Sequence, residues 1–335
     1  MTTDARPGLW RIRDFRRFAA ADAISKLGSQ VTFVALPLTA ALTLEATPFE
    51  VGLLTAAETV AFLLVGLPAG AWVDRIRRRP VLITADLVRA VALLSIPVAA
   101  WAGTLSLPHL YGVALVAGLG TVFFDVAQQS ILPSIVDTED LTRANGVVAA
   151  SFSIAQLTGP GLGGWLVQLF TAPIAMLADG VSYLVSAVLL MGARVREERP
   201  PSGPRQLRRE IAEGIRFVAG QPVIRVIAIV GAMSMFAFGM WTAALPLFLI
   251  REIGVGPGAY GLVLSLSAVG GIVGAALAHR VAARFVMWGG APRGGLVGGA
   301  LGQTAGVRVA FAAACGAFAA AQLPAVVSRS VRRLR

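Results

Sequence analysis

The sequence predicts an all-α integral membrane protein, and three observations predict it. The chain of 335 residues is 56% hydrophobic and 14% charged, whereas a soluble chain carries about 25% charged residues. Apolar runs of bilayer length, about 20 residues, recur along it. The Arg residues gather in short clusters between those runs. Helices are the expected elements, because a helix satisfies its own backbone hydrogen bonds in lipid.

In chain order the runs are Phe18–Leu44, Val51–Val73, Pro80–Trp101, Leu110–Ile135, Ala144–Phe170 and Ala172–Met191, then Val223–Ile250, Tyr260–Phe285 and Val307–Val327. They divide the chain into a six-helix bundle over 1–193, a cytoplasmic linker over 194–221 and an incomplete bundle of about three spans over 222–335. The linker opens on the turn-rich ERPPSGP. Leu207, Ile211, Ile215 and Val218 then share one face of an amphipathic helix, suited either to the membrane surface or to tethering the bundles. An internal echo relates the two bundles. Pro37 precedes Gly52 by fifteen residues, and Pro246 precedes Gly261 by the same interval.

Arg placement sets the orientation. Arg6, Arg11, Arg13, Arg16 and Arg17 precede the first run; Arg75, Arg77, Arg78 and Arg79 follow the second. Arg194, Arg196, Arg199, Arg205, Arg208, Arg209 and Arg216 follow the sixth, and the loops after the first, third and fifth carry none. The positive-inside rule then places the N-terminus in the cytoplasm and the protein in the cell membrane as a multi-pass chain. The same placement accounts for the net charge of +11 without nucleic acid. A lone Cys315 and two distant His residues, His109 and His279, supply neither an internal disulfide nor a metal site. No nucleophile–base constellation suggests an enzyme, and no cofactor is expected. The N-terminus lacks a cleavable signal pattern.

Two stretches resemble motifs of a known family. GAWVDRIRRR, residues 70–79, is similar to the loop between the second and third helices of the major facilitator superfamily. Gly70, Asp74, Arg75, Arg78 and Arg79 fall on its pattern; Trp72 stands for a Leu and Arg77 for a Gly. GVVAASFSIAQLTGPGLGG, residues 146–164, resembles the fifth-helix motif of its antiporters. Gly146, Gly159, Pro160, Gly163 and Gly164 match, and Ala155 replaces one Gly. Glycines let helix backbones approach closely, and Pro160 bends its helix. FRRFAAADAISKLGSQVTFVALPLTA, VFFDVAQQSILPSIV and AEGIRFVAGQPVIR resemble the siderophore and macrolide exporter branch, over about Leu9 to Phe285. The resemblance implies a major facilitator-type helical bundle that exports hydrophobic small molecules such as drugs, macrolides or siderophores in exchange for protons, as a monomer working by alternating access. Asp74 and its arginines would gate it; otherwise the arginines only hold topology.

Charges inside the runs need a reason, since each costs about 2.5–3.5 kcal/mol on insertion scales. Asp22, Lys26, Glu58, Asp125 and Asp179 are the candidates for proton coupling or substrate binding; Asp22 and Lys26 lie four apart, on one helix face, and otherwise simply pair near the inner interface. Asp125 lies near the midplane with Gln128 and Gln129 beside it, and a carboxylate there suits proton carriage or a structural hydrogen bond. Glu58 and Asp179 sit nearer the outer side, with Tyr183 one turn from Asp179 as its expected partner. Asp86 and Arg89 are placed to pair structurally. Phe33, Phe124 and Trp241 either face a substrate cavity or pack against helices.

The second bundle departs from the family, whose members have twelve spans. MWGGAPRGGLVGGALGQT, residues 287–304, is glycine-rich and a poor helix former. Nine spans from a cytoplasmic start leave the basic tail SRSVRRLR outside, against the positive-inside rule. A deletion or frameshift of about three helices near Phe285 would explain both, and the alternative function is then an inactive transporter remnant.

Overall fold

The computed structural model describes residues 8–73, 75–195, 197, 216–278 and 291–321. Asp74, most of the linker including Leu207, Ile211 and Ile215, His279 and the basic tail lie outside the described residues. All the regular structure described is helical: α1 Arg13–Leu38, α2 Pro48–Val73, α3 Arg78–Trp101, α4 Leu107–Ile131, α5 Leu141–Leu169, α6 Ala172–Gly192, α7 Pro222–Leu247, α8 Pro257–Ala278, α9 Ala291–Ala305 and α10 Val307–Ala321. Five of them are long and apolar enough to cross a membrane by length and composition: α2, α3, α4, α6 and α7. α1 and α5 are as long, but α1 begins with charge and α5 is rich in small and polar residues.

Local chemistry sets several boundaries. Thr47 and Glu50 form a capping box at the start of α2. The Thr47 backbone N–H donates to Glu50 Oε2 at 2.7 Å, and the Glu50 N–H donates back to Thr47 Oγ1 at 3.4 Å. Pro37 and Pro246 each remove a backbone donor near the end of their helix, and each is followed by a single wide turn, Thr39–Thr43 and Phe248–Glu252.

The first six helices pack as α1 against α5 and α6, α3 against α4 and α6, and α2 against α4. The second half repeats part of this plan. There α7 packs against α9 and α10, as α1 packs against α5 and α6. The halves join along two seams, α5 on α8 and α2 on α9. These are equivalent if α2 matches α8 and α5 matches α9. The echo that pairs Pro37 with Pro246 and Gly52 with Gly261 therefore marks a structural repeat.

Four helices, not three, follow the linker among the described residues. The glycine-rich stretch expected to be a poor helix former is α9. It reads GGALGQ over residues 298–303, against GGWLVQ over 163–168 of α5. The glycines are the reason it sits there. A Cβ at Gly299 would lie 2.7 Å from the Pro48 carbonyl oxygen and 3.0 Å from Gly52 Cα on α2, so packing supplies what helix propensity withholds. α8 and α9 are separated by only residues 279–290, too few for two further spans. The helices without a counterpart are those matching α3 and α4, so two are missing between α8 and α9, not three.

The extra helix also reverses the direction of the last one. α10 starts beside the end of α7, where Arg308 pairs with Glu252 at 3.1 Å and Phe311 stacks on Phe248 at 4.7 Å. With ten described helices in place of nine spans, α10 thus points to the end of the bundle where α1 begins.

Candidate functional site

The carboxylates are unevenly shared. Of the Asp and Glu residues, only Glu252 lies beyond residue 221. Beyond the first turns, where Asp14 and Glu50 sit, the acidic side chains of α1–α10 all belong to the first half: Asp22 on α1, Glu58 on α2, Asp86 on α3, Asp125 on α4 and Asp179 on α6. The cations among them are Lys26 and Arg89.

Two ion pairs organise this cluster. Lys26 Nζ lies 2.8 Å from one Asp22 oxygen and 2.9 Å from the other, and the Gln128 amide of α4 also donates to Asp22. Arg89 Nη2 meets Asp86 Oδ1 at 2.5 Å, while Ser186 of α6 donates to Asp86 Oδ2 at 2.6 Å. The Arg89 guanidinium lies between two rings, its carbon 4.4 Å from the Phe124 centroid and 4.1 Å from that of Tyr183. Phe124 is therefore a buried platform for a cation. Gly120 makes room for the arginine, since a Cβ there would lie 2.6 Å from Arg89 Cγ. Sequence reading found the Asp86–Arg89 pair but not its place at the junction of α3, α4 and α6. The signal was present in Gly120 and Phe124, four residues apart on the facing helix.

Asp179 is fully buried, and its partner differs from the one expected. Its Oδ1 accepts from Ser182 at 2.9 Å, while the Tyr183 hydroxyl pairs with Ser29 Oγ of α1 at 2.9 Å. Asp125 is half-buried and makes no hydrogen bond among the described residues; its electrostatic neighbours are Arg89, Lys26 and Asp22. Glu58 neighbours Asp179.

The gating-loop residues divide. Gly70 closes α2 with open space beside it, and Arg75 is exposed. Arg79 reaches the end of α6, its Nε donating to the Leu190 carbonyl at 2.9 Å and its Nη2 to that of Met191 at 2.5 Å. Arg17 of α1 donates to the Gly192 carbonyl. Two guanidinium groups thus sit on the negative end of one helix. Glu197 accepts from the backbone N–H groups of Arg78 and Arg79, at 2.5 and 2.8 Å, and caps α3. Within the described residues these contacts tie α1, α3 and α6 of the first half together.

The fifth-helix glycines face two ways. A Cβ at Gly163 would lie 3.1 Å from Val31 Cα of α1, and one at Gly159 would overlap Gln30 of the same helix. Gly164 faces α8 instead, where a Cβ would lie 2.9 Å from Gly261 Cα. Gly146, near the start of α5, touches nothing. Beside Pro160, the Gly161 N–H donates to Ser265 Oγ of α8 at 2.9 Å. Gln168 accepts from the Gly258 N–H at 2.9 Å, capping α8. Further along the interface, Phe33 of α1 stacks on Phe238 of α7 at 6.4 Å, and Phe238 on Trp241 at 5.8 Å.

The halves are sealed at one end. One apolar core joins residues of both halves around the end of α1, the start of α2, the end of α7 and the start of α8. The core around Phe15, Phe18, Leu82 and Ile131, at the other end, contains only first-half residues. Arg251 adds a hydrogen bond to the Ala41 carbonyl at the sealed end, at 2.8 Å.

Two repeated helical halves, charges buried in one of them and an apolar core that joins both halves at one end, among the described residues, are the features of a membrane transporter fold. The chain matches the Major Facilitator Superfamily over residues 19–301 and belongs to that family. It is 28% identical over 271 residues to the multidrug efflux pump Tap of Mycolicibacterium fortuitum, covering 77% of this chain and 64% of that protein. It is 29% identical over 282 residues to Tap of Mycobacterium tuberculosis, covering 80% of this chain and 66% of the relative. The chain thus spans about two thirds of the length of these relatives. Among solved structures it resembles an inward-facing bacterial homologue of the human lysosomal transporter Spinster, with TM-score 0.64, 14% identity and coverage of 95% of this chain and 80% of that one. It also resembles an inward-facing bacterial homologue of the iron transporter ferroportin, with TM-score 0.62, 17% identity and coverage of 96% and 98%.

Proposed function

We propose that the chain belongs to a proton-coupled exporter of hydrophobic small molecules, working by alternating access in the cell membrane with its N-terminus in the cytoplasm. One observation carries the reading: five carboxylates and two cations lie inside the helices of the first half, with Asp22, Asp86, Asp179 and Arg89 buried and the rest half-buried, and an aromatic stack of Phe33, Phe238 and Trp241 lies on the interface between the halves. Charges in a bilayer are retained for ion or proton movement more often than for stability. Flat apolar rings suit a flat apolar substrate. Rocking of the halves about the sealed end would expose the stack to alternate sides. The efflux relatives support the substrate class.

A second reading has its own observation. The second half lacks counterparts of α3 and α4 among the described residues, which favours a remnant without transport activity. Efflux of a lipophilic fluorescent cation from vesicles holding the whole chain separates the two. Export that depends on an imposed pH gradient supports the first reading. Equal retention in protein-containing and empty vesicles supports the second.

A further inference from the structure

The buried cluster does not balance in charge. Asp22 is paired with Lys26 and Asp86 with Arg89, which leaves Glu58, Asp125 and Asp179 without a cation of their own. An unpaired charge inside a bundle is costly, and a carboxylic acid avoids that cost by holding a proton. The question is which carboxyl group is built to do so.

Asp179 has the geometry. It is fully buried. One oxygen is used by Ser182, and the other, Oδ2, has no hydrogen-bond partner among the described residues. Thr32 Oγ1 of α1 is likewise buried and has no geometric hydrogen-bond partner among the described residues, yet it lies near enough to interact with the Asp179 carboxyl. α1 comes this close because residue 28 is Gly: a Cβ there would collide with Ser182 and Asp179. Two buried polar atoms left over opposite each other call for a bridging group. One hydrogen between them satisfies both, either the Thr32 hydroxyl donated to an ionised Asp179 or a proton on Asp179 Oδ2 donated to Thr32 Oγ1, and the lack of a cation paired with Asp179 among the described residues favours the second.

A replacement charge stands nearby. Arg89 lies among the electrostatic neighbours of Asp179, and its Nε is a third buried atom without a partner. The other groups around Asp179 are Asp86 on α3, Glu58 on α2 and Tyr183 on α6. α5 contributes no charge to this region, since its one charged residue is Arg143 near its far end.

We infer that Asp179 and Thr32 form the proton-binding site of the bundle, with Arg89 as the cation that takes over the carboxylate when the proton leaves. On release the O–H bond of Asp179 breaks, the proton passes to water, and the negative charge left on Asp179 is met by the free Nε of Arg89. Loss of the Asp179–Thr32 link removes one tie between α6 and α1 and leaves that of Tyr183 to Ser29. The transport consequence rests on the proton-coupled reading above; the protonation itself does not.

Infrared difference spectroscopy of the whole chain in detergent, across a pH titration, tests this through the carboxylic-acid C=O band, which an ionised carboxylate lacks. D179N is expected to remove one such band, and D125N to leave that band in place. T32V is expected to keep the band but shift it, because the acceptor is gone, and T32S to restore its position. A D179N spectrum with every wild-type acid band intact overturns the proposal, as expected if water bridges an ionised Asp179. So does a band that T32V does not move. If D179N does not fold, the T32V and T32S pair still decides. If wild-type vesicles export nothing, the function reading fails while the spectra still judge the site.

Discussion

The two seams between the halves are the same junction built twice, and they differ in how each is fastened. At the α5–α8 seam, Gly164 meets Gly261, Gln168 caps the start of α8, and Ser265 binds the Gly161 N–H beside Pro160. At the α2–α9 seam, Gly299 meets Gly52, but α2 is capped by its own Thr47 and Glu50, and Gln303 is exposed. Close glycine packing is common to both; among the described residues, polar fastening across the seam is seen only between α5 and α8. The contrast repeats on a larger scale. The first half has six helices and all the membrane carboxylates, while the second has four described helices and none. The difference teaches that helix placement in this fold follows small-residue packing, whereas the charges are a separate layer laid on one half.

The largest expected effect tests that layer. Arg89→Met leaves Asp86 buried without its cation and should cost about 3–5 kcal/mol. Thermal unfolding in detergent, followed by intrinsic fluorescence, would show it; a melting point within error of wild type would mean that the pair is dispensable. Next come the seams. Gly164→Val and Gly299→Val should each cost about 1–3 kcal/mol through overpacking, and near-equal losses are the signature of equivalent junctions. A large loss at Gly164 with none at Gly299 would break the correspondence of α5 with α9. Ser265→Ala removes one fastening and should cost about 0.5–1.5 kcal/mol, raising hydrogen exchange at Gly161 above its neighbours; unchanged exchange there would deny the bond a role. The smallest effect is Arg79→Gln, which withdraws a charge from the end of α6 and should cost about 0.3–1 kcal/mol, less at high salt.

Much of the fold was legible because lipid allows few solutions. The runs beginning at Val51, Pro80 and Leu110 each match a helix whose ends lie within four residues of the expected ones, and the run beginning at Phe18 matches α1, which starts and ends five to six residues earlier. α9 was not legible by propensity, because its glycines gain stability only against the backbone of α2. Its likeness to α5, GGALGQ against GGWLVQ, was the signal that sequence reading passed over. At the site, Asp22–Lys26 and Asp86–Arg89 could be foreseen from helical spacing. The partner of Asp179 could not. Tyr183 is one turn away on the same helix, yet its hydroxyl reaches Ser29 on α1 and its ring reaches Arg89 on α3.

Composition and Arg placement by themselves determined a membrane-embedded helical bundle and the expected side of each loop, because hydrocarbon length and backbone hydrogen bonding leave few alternatives. The motifs determined the family. Tertiary structure alone decided that the second half keeps the equivalents of α5 and α6 and drops those of α3 and α4. It alone decided, too, which buried oxygens are left without partners. Both depend on which helix faces which across the bundle, and residues far apart in the chain do not record that until they meet.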